Sequence, residues 1–278
     1  MLPAPKALLV AAGIGSRLAP LTDILPKCLM PVNGVPLLAY WLDLLAGAGV
    51  KDIVVNLHHH APLVRAWLAR GPHAGIVATS HEEQLLGTAG TLLNNRARLA
   101  GGPVFFAHAD NLSAFSADAF FQAHQERLAG VAITMMTFTT DLPQQCGILE
   151  LNAAGLVMAM HEKSANPPGD LANAAVYMIE PEVIDFIADL GKRIVDFSTE
   201  VLPHFMGRIA TFHNDCYHRD IGTLASLASA QFEFPLRAGL GPQPAGDPWF
   251  GLMQEENRAT DFIQVLNRAL GVGGGAAT

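Results

Sequence analysis

The first half of the chain alternates between short apolar segments and amphipathic ones. The apolar segments have the length and residue types of buried strands, which we predict at residues 6–12, 52–57, 75–80, 103–109, 131–138 and 174–179. Between them, apolar residues recur at helical spacing and predict helices at residues 36–49, 62–71, 88–101 and 117–130. Strands that alternate with helices favour a parallel sheet covered on both faces. We therefore predict a doubly wound α/β fold that binds ligands beyond the carboxyl ends of its strands.

The pattern changes after about residue 138. The run GILELNAAGLVMAM predicts a hairpin that turns at residues 152–155, so this half should add mixed strands to the sheet. From residue 234 the chain is rich in proline and glycine, and it contains one predicted helix at residues 257–270 before a glycine-rich end. The predicted organisation is a domain over residues 1–233, with a second part at about 139–233, followed by a tail over residues 234–278.

Composition narrows the class of protein. The chain has 278 residues, of which 50% are hydrophobic, so it can bury a large core. A formal net charge of −8 argues against a general binder of nucleic acid or of anionic membranes. The three cysteines, Cys28, Cys146 and Cys216, are too scattered for a disulfide framework or a metal knuckle. With no apolar run of membrane-spanning length and no signal-peptide pattern, the sequence predicts a cytoplasmic protein.

Glycines directly follow the first predicted strand. Gly13 and Gly15 would let backbone N–H groups approach a phosphate closely. The turn is neither a dinucleotide fingerprint, which needs a third glycine where Leu18 stands, nor a P-loop. Alone it equally fits a plain turn between a strand and a helix. Arg17 and Lys27 follow closely, and Lys27 lies among apolar residues and prolines, so the two cations could clamp a polyphosphate.

The runs GIGSRLAPLT and PKCLMPVNGVPLL carry a family resemblance. The sequence here resembles the sugar-1-phosphate nucleotidylyltransferases, which include guanylyl, thymidylyl and uridylyl enzymes. Further segments match in the family's order over roughly residues 6–230, namely EEQLLGTAGTL, HADNL, EKS, LANAAVYMIEPEV and YHRDIGTLASL. The resemblance implies a Rossmann-like nucleotidyltransferase sheet at residues 1–233, with the sugar phosphate bound by the part at about 139–233.

The resemblance also implies a reaction and its residues. A nucleoside monophosphate passes from a nucleoside triphosphate to a sugar 1-phosphate, with Mg²⁺ as cofactor and pyrophosphate as leaving group. The implied catalytic residues are Arg17, Lys27 and Asp110, and the implied metal ligands are Asp110 and Asp220. The implied nucleotide-binding residues are Ala11, Ala12, Gly13, Gly15, Ser16, Glu82, Gly87 and Thr88. The implied sugar-phosphate residues are Gly147, Glu162, Lys163 and Asn173.

The identity of the base stays open. The AAG turn resembles uridylyl enzymes, whereas LLGTAG resembles the mannose-type guanylyl enzymes. Glu82 offers only acceptors, which could receive the paired donors of guanine or the single N–H of uracil or thymine. Cys146 stands where the thymidylyl enzymes commonly have tyrosine. We favour GTP, with a uridylyl- or thymidylyltransferase of the same family as the alternative.

Other interpretations compete with catalysis. A non-catalytic sugar-nucleotide-binding regulatory protein could use the same fold, but it would not need all five charged site residues; a dinucleotide-dependent dehydrogenase fits less well. Either aspartate could be a helix cap or turn residue, and Glu162 with Lys163 only a solvated ion pair. The HHH run fits a strand-end loop better than a metal site, and Trp41 and Trp67 fit core positions. The expected partners are the two substrates, without nucleic acid or membrane, and a homo-oligomer stays open.

Overall fold

A computed structural model describes residues 4–234, 248–255 and 258–269. The strands of this part are β1 Lys6–Val10, β2 Pro31–Val32, β3 Val35–Pro36, β4 Ile53–Leu57, β5 Val77–His81, β6 Val104–His108, β7 Asn111–Ala114, β8 Ile133–Thr139, β9 Gly147–Leu151, β10 Val157–Glu162, β11 Leu171–Ile179, β12 Ile209–His213 and β13 Tyr217–Asp220. The α-helices are α1 Leu37–Gly47, α2 Ala61–Arg70, α3 Gly87–Asn94, α4 Arg96–Leu99, α5 Ala117–Gln125, α6 Pro181–Asp189, α7 Leu224–Glu233, α8 Pro248–Gln254 and α9 Arg258–Ala269.

The central sheet is mixed and mostly parallel. Strands β5, β4, β1 and β6 lie side by side and run parallel. Strand β11 is antiparallel to both β6 and β8, and β12 runs parallel to β8 at the far edge. The hairpin β9–β10 pairs with the start of β11. The predicted doubly wound sheet is confirmed, and so are the mixed strands expected from the second half.

Helices cover both faces of this sheet. Side chains alternate along each strand, so Ala7 and Leu9 of β1 join one hydrophobic cluster while Leu8 joins the other. Helices α1, α2, α5 and α7 pack in the first cluster, and α3, α4 and α6 pack in the second. Trp41 and Trp67 are 2% and 6% exposed in the first cluster, which confirms their core assignment.

The strand register brings several loops to one edge of the sheet. Val10 at the end of β1 pairs with Asn56 on one side and with His108 on the other. The end of β5 lies next to the end of β4, where His81 pairs with Leu57. The glycine turn after β1, the loop after β5 and Asp110 after β6 therefore meet at the carboxyl ends of the strands, as the fold class predicts.

Two helical stretches differ from their prediction. The helix expected at residues 88–101 is divided at Asn95 into α3 and α4. The tail has two described helices rather than one, because α8 precedes the predicted α9, and Trp249, Leu252 and Phe262 are buried in the first cluster. Most of the proline- and glycine-rich stretch, residues 235–247, and the end at 270–278 lie outside the described residues. None of the helices described is long and apolar enough to cross a bilayer.

Candidate active site

The glycine turn packs closely against the segment that carries Lys27. Gly15 has a φ of +69°, and a Cβ there would lie 2.9 Å from Cγ2 of Thr22 and 3.2 Å from Cβ of Lys27. The Thr22 hydroxyl donates to the Gly15 carbonyl at 3.4 Å. Glycine is needed at this position both for the left-handed backbone and for the close approach. Glycine at position 15 therefore allows the turn to pack closely against Lys27.

A small second sheet brings two distant carboxylates to Lys27. Strands β7 and β13 pair antiparallel, with Asp220 opposite Asn111, so Asp220 arrives beside Asp110. The Lys27 ammonium donates to Oδ2 of Asp110 at 2.7 Å and to Oδ1 of Asp220 at 3.0 Å. The three residues lie far apart in the chain, and the structure joins them in one charged cluster.

Burial and charge act in opposite directions on this cluster. The Lys27 side chain is only 7% exposed, and burial alone would lower the pKa of its amine, but Asp110 and Asp220 outweigh burial and raise it. Burial alone would raise the pKa of the Asp110 carboxyl, yet Lys27 and, more weakly, His108 hold it below its usual range. Both partners therefore stay charged at neutral pH, as a site for a polyanion and its counterions requires.

Arg17 lies at the exposed mouth of the same cluster. Its side chain is 65% exposed, and Nη2 lies 3.5 Å from Oδ2 of Asp220. A Cβ on Gly222 would lie 2.7 Å from that carboxylate oxygen and 2.8 Å from the same guanidinium nitrogen. Gly222 therefore leaves the space in which Arg17 approaches Asp220. The sequence analysis missed this role, although Gly222 stands inside the DIGT motif.

The donor set at Asp110 and Asp220 suits a hard divalent cation. Among the described residues, no group of three or more His, Cys, Asp or Glu side chains is arranged to hold a metal. Mg²⁺ ordinarily takes only one or two carboxylates from a protein and completes its shell with phosphate oxygens and water. Two carboxylates that share one ammonium beside the glycine turn match that requirement, so the residues present fit the ion.

Glu82 is buried in a hydrogen-bond network. The residue is 3% exposed. Oε1 accepts from Asn56 Nδ2 at 2.9 Å and from the Thr91 hydroxyl at 2.6 Å, and Oε2 accepts from the Leu86 N–H at 3.1 Å. Both oxygens are bonded inside the protein, so the carboxylate fixes the loop between β5 and α3. Its contact with the edge of a base stays a prediction.

Gly87 and Thr88 are tied to the segment around Val195. Gly87 has a φ of +74°, and a Cβ there would lie only 2.4 Å from the Val195 carbonyl oxygen. That oxygen accepts from the N–H groups of Ala89 and Gly90 at 3.0 and 3.2 Å. The Thr88 hydroxyl accepts from the Phe197 N–H at 2.8 Å. The N–H groups of Ala89 and Gly90 therefore bond to the protein, and nucleotide binding by Gly87 and Thr88 stays a prediction.

The predicted sugar-phosphate residues form a second, more open group. A Cβ on Gly147 would lie 2.8 Å from Oε2 of Glu162, so glycine lets this carboxylate lie across the strand. Lys163 has a left-handed backbone, with a φ of +47°, and its N–H donates to the Cys146 carbonyl at 3.1 Å. Its ammonium lies 3.5 Å from Glu162, and its side chain is 68% exposed.

Asn173 holds an irregular stretch of β11. Its Oδ1 accepts from the Ala175 N–H at 2.9 Å, where Ala175 has a φ of +52°, and its Nδ2 donates to the Tyr177 hydroxyl at 2.7 Å. Burial raises the pKa of the Tyr177 phenol, which stays neutral. Burial raises the pKa of the Cys146 thiol, and the charges of Asp220 and Glu162 add to the increase.

The three consecutive histidines follow β4 in a loop, as predicted. His58 Nδ1 lies 2.7 Å from the Glu82 carbonyl oxygen. Nε2 of His59 and Nε2 of His60 both lie close to the Thr22 carbonyl oxygen, at 3.1 and 3.0 Å. Each of the three rings thus uses one of its two nitrogens on a backbone carbonyl oxygen. The histidines therefore connect the β4 loop with the segment before Lys27 and with the loop that begins at Glu82.

Comparisons of sequence find relatives of this chain. The family model described as nucleotidyl transferase matches residues 6–234. A mannose-1-phosphate guanylyltransferase of Mycobacterium tuberculosis is 28% identical over 244 residues, which cover 86% of this chain and 66% of the relative. An N-acetylmuramate alpha-1-phosphate uridylyltransferase of Caulobacter vibrioides is 35% identical over 190 residues, 65% of this chain and 77% of the relative. A Streptomyces griseus glucose-1-phosphate thymidylyltransferase is 29% identical over 184 residues, and this chain spans 51% of its length.

Solved structures support the fold. A putative glucose-1-phosphate thymidylyltransferase from Bacillus anthracis, in complex with sucrose, aligns with a TM-score of 0.74 at 20% identity and covers 82% of this chain and 94% of that one. HddC from Yersinia pseudotuberculosis, complexed with GMP-PN, aligns with a TM-score of 0.70 at 21% identity and covers 83% and 100%. At these identities the likeness concerns the fold, and it agrees with the predicted Rossmann-like sheet.

Proposed function

The chain belongs to the nucleotidyl transferase family, and on that premise we propose that it transfers a nucleoside monophosphate from GTP to a sugar 1-phosphate. The products are a nucleoside diphosphate sugar and pyrophosphate. The observation that carries this proposal is the cluster of Lys27 with Asp110 and Asp220 beside the glycine turn. It joins a fixed cation and two candidate metal ligands at the edge of the sheet where ligands of this fold bind.

The chemistry explains why the site needs cations. Attack of one phosphate on another must overcome repulsion between anions, and charge develops on the leaving pyrophosphate. Lys27 and Arg17 would neutralise the triphosphate from its two sides. Asp110 and Asp220 would hold Mg²⁺, which when bound supplies further positive charge to the phosphate oxygens. Backbone N–H groups of the turn after Ala11 would cradle the phosphates.

The acceptor would bind to the open group around Lys163. Its exposed ammonium suits the phosphate of a sugar 1-phosphate, while Glu162 and Asn173 offer polar atoms to sugar hydroxyls. Gly147 lets the sugar approach the backbone closely. The attacking oxygen belongs to the acceptor phosphate and already carries negative charge. Direct in-line displacement therefore needs no nucleophile and no general base from the protein.

The choice of base rests on the loop after β5. The LLGTAG run is similar to that of guanylyl enzymes, and the mycobacterial relative carries the guanylyltransferase name. Leu85 in this loop and Ile14 in the glycine turn are exposed apolar side chains that a planar base could cover. The alternative is a uridylyltransferase, which the AAG turn and the 35% identity to the Caulobacter enzyme favour.

A substrate matrix tests the proposal. Pyrophosphate release is measured with each of the common nucleoside triphosphates against a panel of hexose and amino-sugar 1-phosphates, with Mg²⁺ present. We expect release that requires both substrates and is fastest with GTP. Faster release with UTP or dTTP would overturn the choice of guanine. No release with any pair, while a nucleoside diphosphate sugar binds tightly, would favour the non-catalytic regulatory protein.

A further inference from the structure

Asn56 is a buried polar residue in an apolar strand. Strand β4 reads IVVNL and is buried along its whole length, and Asn56 is 1% exposed. Its Oδ1 accepts from the Ala11 N–H at 2.6 Å, and its Nδ2 donates to Glu82 Oε1 at 2.9 Å and to the Thr91 hydroxyl at 3.2 Å. The Asn56 side chain therefore accepts a hydrogen bond from the glycine turn and donates one to Glu82 in the loop after β5.

These bonds connect the two loops of the nucleotide site. Ala11 begins the phosphate turn, which we define as residues 11–16. Glu82 begins the base loop, which we define as residues 82–87, and its carboxylate also bonds to the Thr91 hydroxyl and to the Leu86 N–H. The network is buried, so each bond forms in a medium of low polarity and an unpaired member is costly. Its geometry fixes one loop relative to the other.

We infer that Asn56 is a positioning residue that sets the spacing between the phosphate turn and the base loop, and through that spacing the affinity for the nucleoside triphosphate. This inference rests on the proposed function. A triphosphate and its base occupy the two loops simultaneously, so a change in their spacing weakens one contact when the other is made. Glu82 acts in the same way, through the shape of the base loop.

The chemistry of asparagine at this position is specific. Ionised aspartate has nearly the same shape and can still accept from the Ala11 N–H, but it cannot donate to Glu82 and brings a second negative charge beside it. Asn56→Asp therefore keeps the bond to the phosphate turn and breaks the bond to the base loop. Thr91→Val removes a second hydrogen bond to Glu82 without adding charge and with nearly the same volume.

The experiment compares these variants with a buried threonine elsewhere. Thr134 in β8 is also 1% exposed, and its hydroxyl bonds to His124 Nδ1 at 2.8 Å, away from both loops. Calorimetry with GTP and Mg²⁺, without sugar phosphate, gives Kd for each protein, and steady-state kinetics give both KM values.

We expect Asn56→Asp to raise Kd and KM for GTP about tenfold, and Thr91→Val about threefold, in line with lost buried hydrogen bonds. KM for the sugar 1-phosphate should stay within about twofold.

Thr134→Val separates positioning from stability. It should lower the melting temperature by an amount similar to Thr91→Val and leave Kd for GTP unchanged. If both network variants lower the melting temperature but leave Kd and KM for GTP unchanged, Asn56 is only structural and the inference is wrong. Should Asn56→Asp fail to fold, Thr91→Val decides by the same criterion.

If the unaltered protein binds GTP but forms no product, the proposed function fails, while Kd still tests the role of Asn56. If it binds no nucleoside triphosphate, the proposed function and the inference about Asn56 both fail.

Discussion

Two lysines of the site have opposite surroundings. Lys27 is 7% exposed and donates to two carboxylates at 2.7 and 3.0 Å. Lys163 is 68% exposed and has one ion pair with Glu162, at 3.5 Å between Nζ and Oε1. The ammonium of Lys27 is fixed before any ligand arrives, whereas that of Lys163 can still change rotamer. In the proposed reaction, the triphosphate side of the site would therefore be preorganised and the acceptor side adjustable.

The difference has a physical reason in the proposed reaction. A group that stabilises charge in the transition state is most effective when it needs no reorganisation as that charge develops. A group that only binds the incoming substrate can tolerate the loss of rotamer freedom on binding, which reduces affinity modestly. The same contrast predicts how the two sides respond to substitution.

The largest expected effect comes from Asp110. Asp110→Asn removes one of the two carboxylates on Lys27 and weakens the site for Mg²⁺, so turnover should fall by at least about two orders of magnitude. Pyrophosphate release at saturating Mg²⁺ measures it. The matched control is Asp118→Asn, an exposed aspartate in the first turn of α5, which should retain normal turnover. Near-normal turnover in Asp110→Asn would remove the preorganised metal site from the account.

The two lysines should differ next in folding stability. Lys27→Met keeps a similar volume but leaves Asp110 and Asp220 side by side without the ammonium that they share, and should cost ~2 kcal/mol of unfolding free energy. This is below the usual cost for a fully buried pair because Asp220 is half-exposed. Lys163→Met should change the unfolding free energy by less than ~0.5 kcal/mol, as is usual for an exposed side chain. Denaturant unfolding of both variants measures the contrast, and equal losses would abolish it.

Acid should reduce the stability difference caused by Lys27→Met. The pKa of Asp110 is lowered in the folded protein below its ordinary value of 3.8, so its ion pair stabilises the protein above that pH and is lost as the pH falls through the folded-state pKa. The pKa of Lys27 is raised above 10.5, so the pair persists on the alkaline side up to that pH. Unfolding free energies of the unaltered protein and Lys27→Met should begin to converge below about pH 4, and the ion pair is fully lost only below the folded-state pKa of Asp110. A difference that stays constant down to about pH 3 would contradict the charged pair.

The sequence predicts the secondary-structure elements better than it predicts which side chains bond to each other. The strands and the helices of the first half follow from hydrophobic periodicity, and Arg17 and Lys27 follow from a short contiguous motif. The site depends equally on pairs that only tertiary structure joins. The pairing of β7 with β13 brings Asp220 to Lys27. The position of β4 beside the loop after β5 makes Asn56 the hydrogen-bond partner of Glu82. An acidic residue in a motif can be read as a ligand contact, but its burial and its bonds decide what it does.

The central claim is that the site has one preorganised lysine for the triphosphate and one adjustable lysine for the acceptor. Bisubstrate kinetics of the unaltered protein, Lys27→Met and Lys163→Met test it most directly, with the exposed Lys51→Met as a control for net charge. Lys27→Met should raise KM for the nucleoside triphosphate by tenfold to a hundredfold, and Lys163→Met should raise KM for the sugar 1-phosphate about tenfold, as charge-assisted phosphate contacts imply. A rise in KM for the triphosphate alone in Lys163→Met would contradict the account.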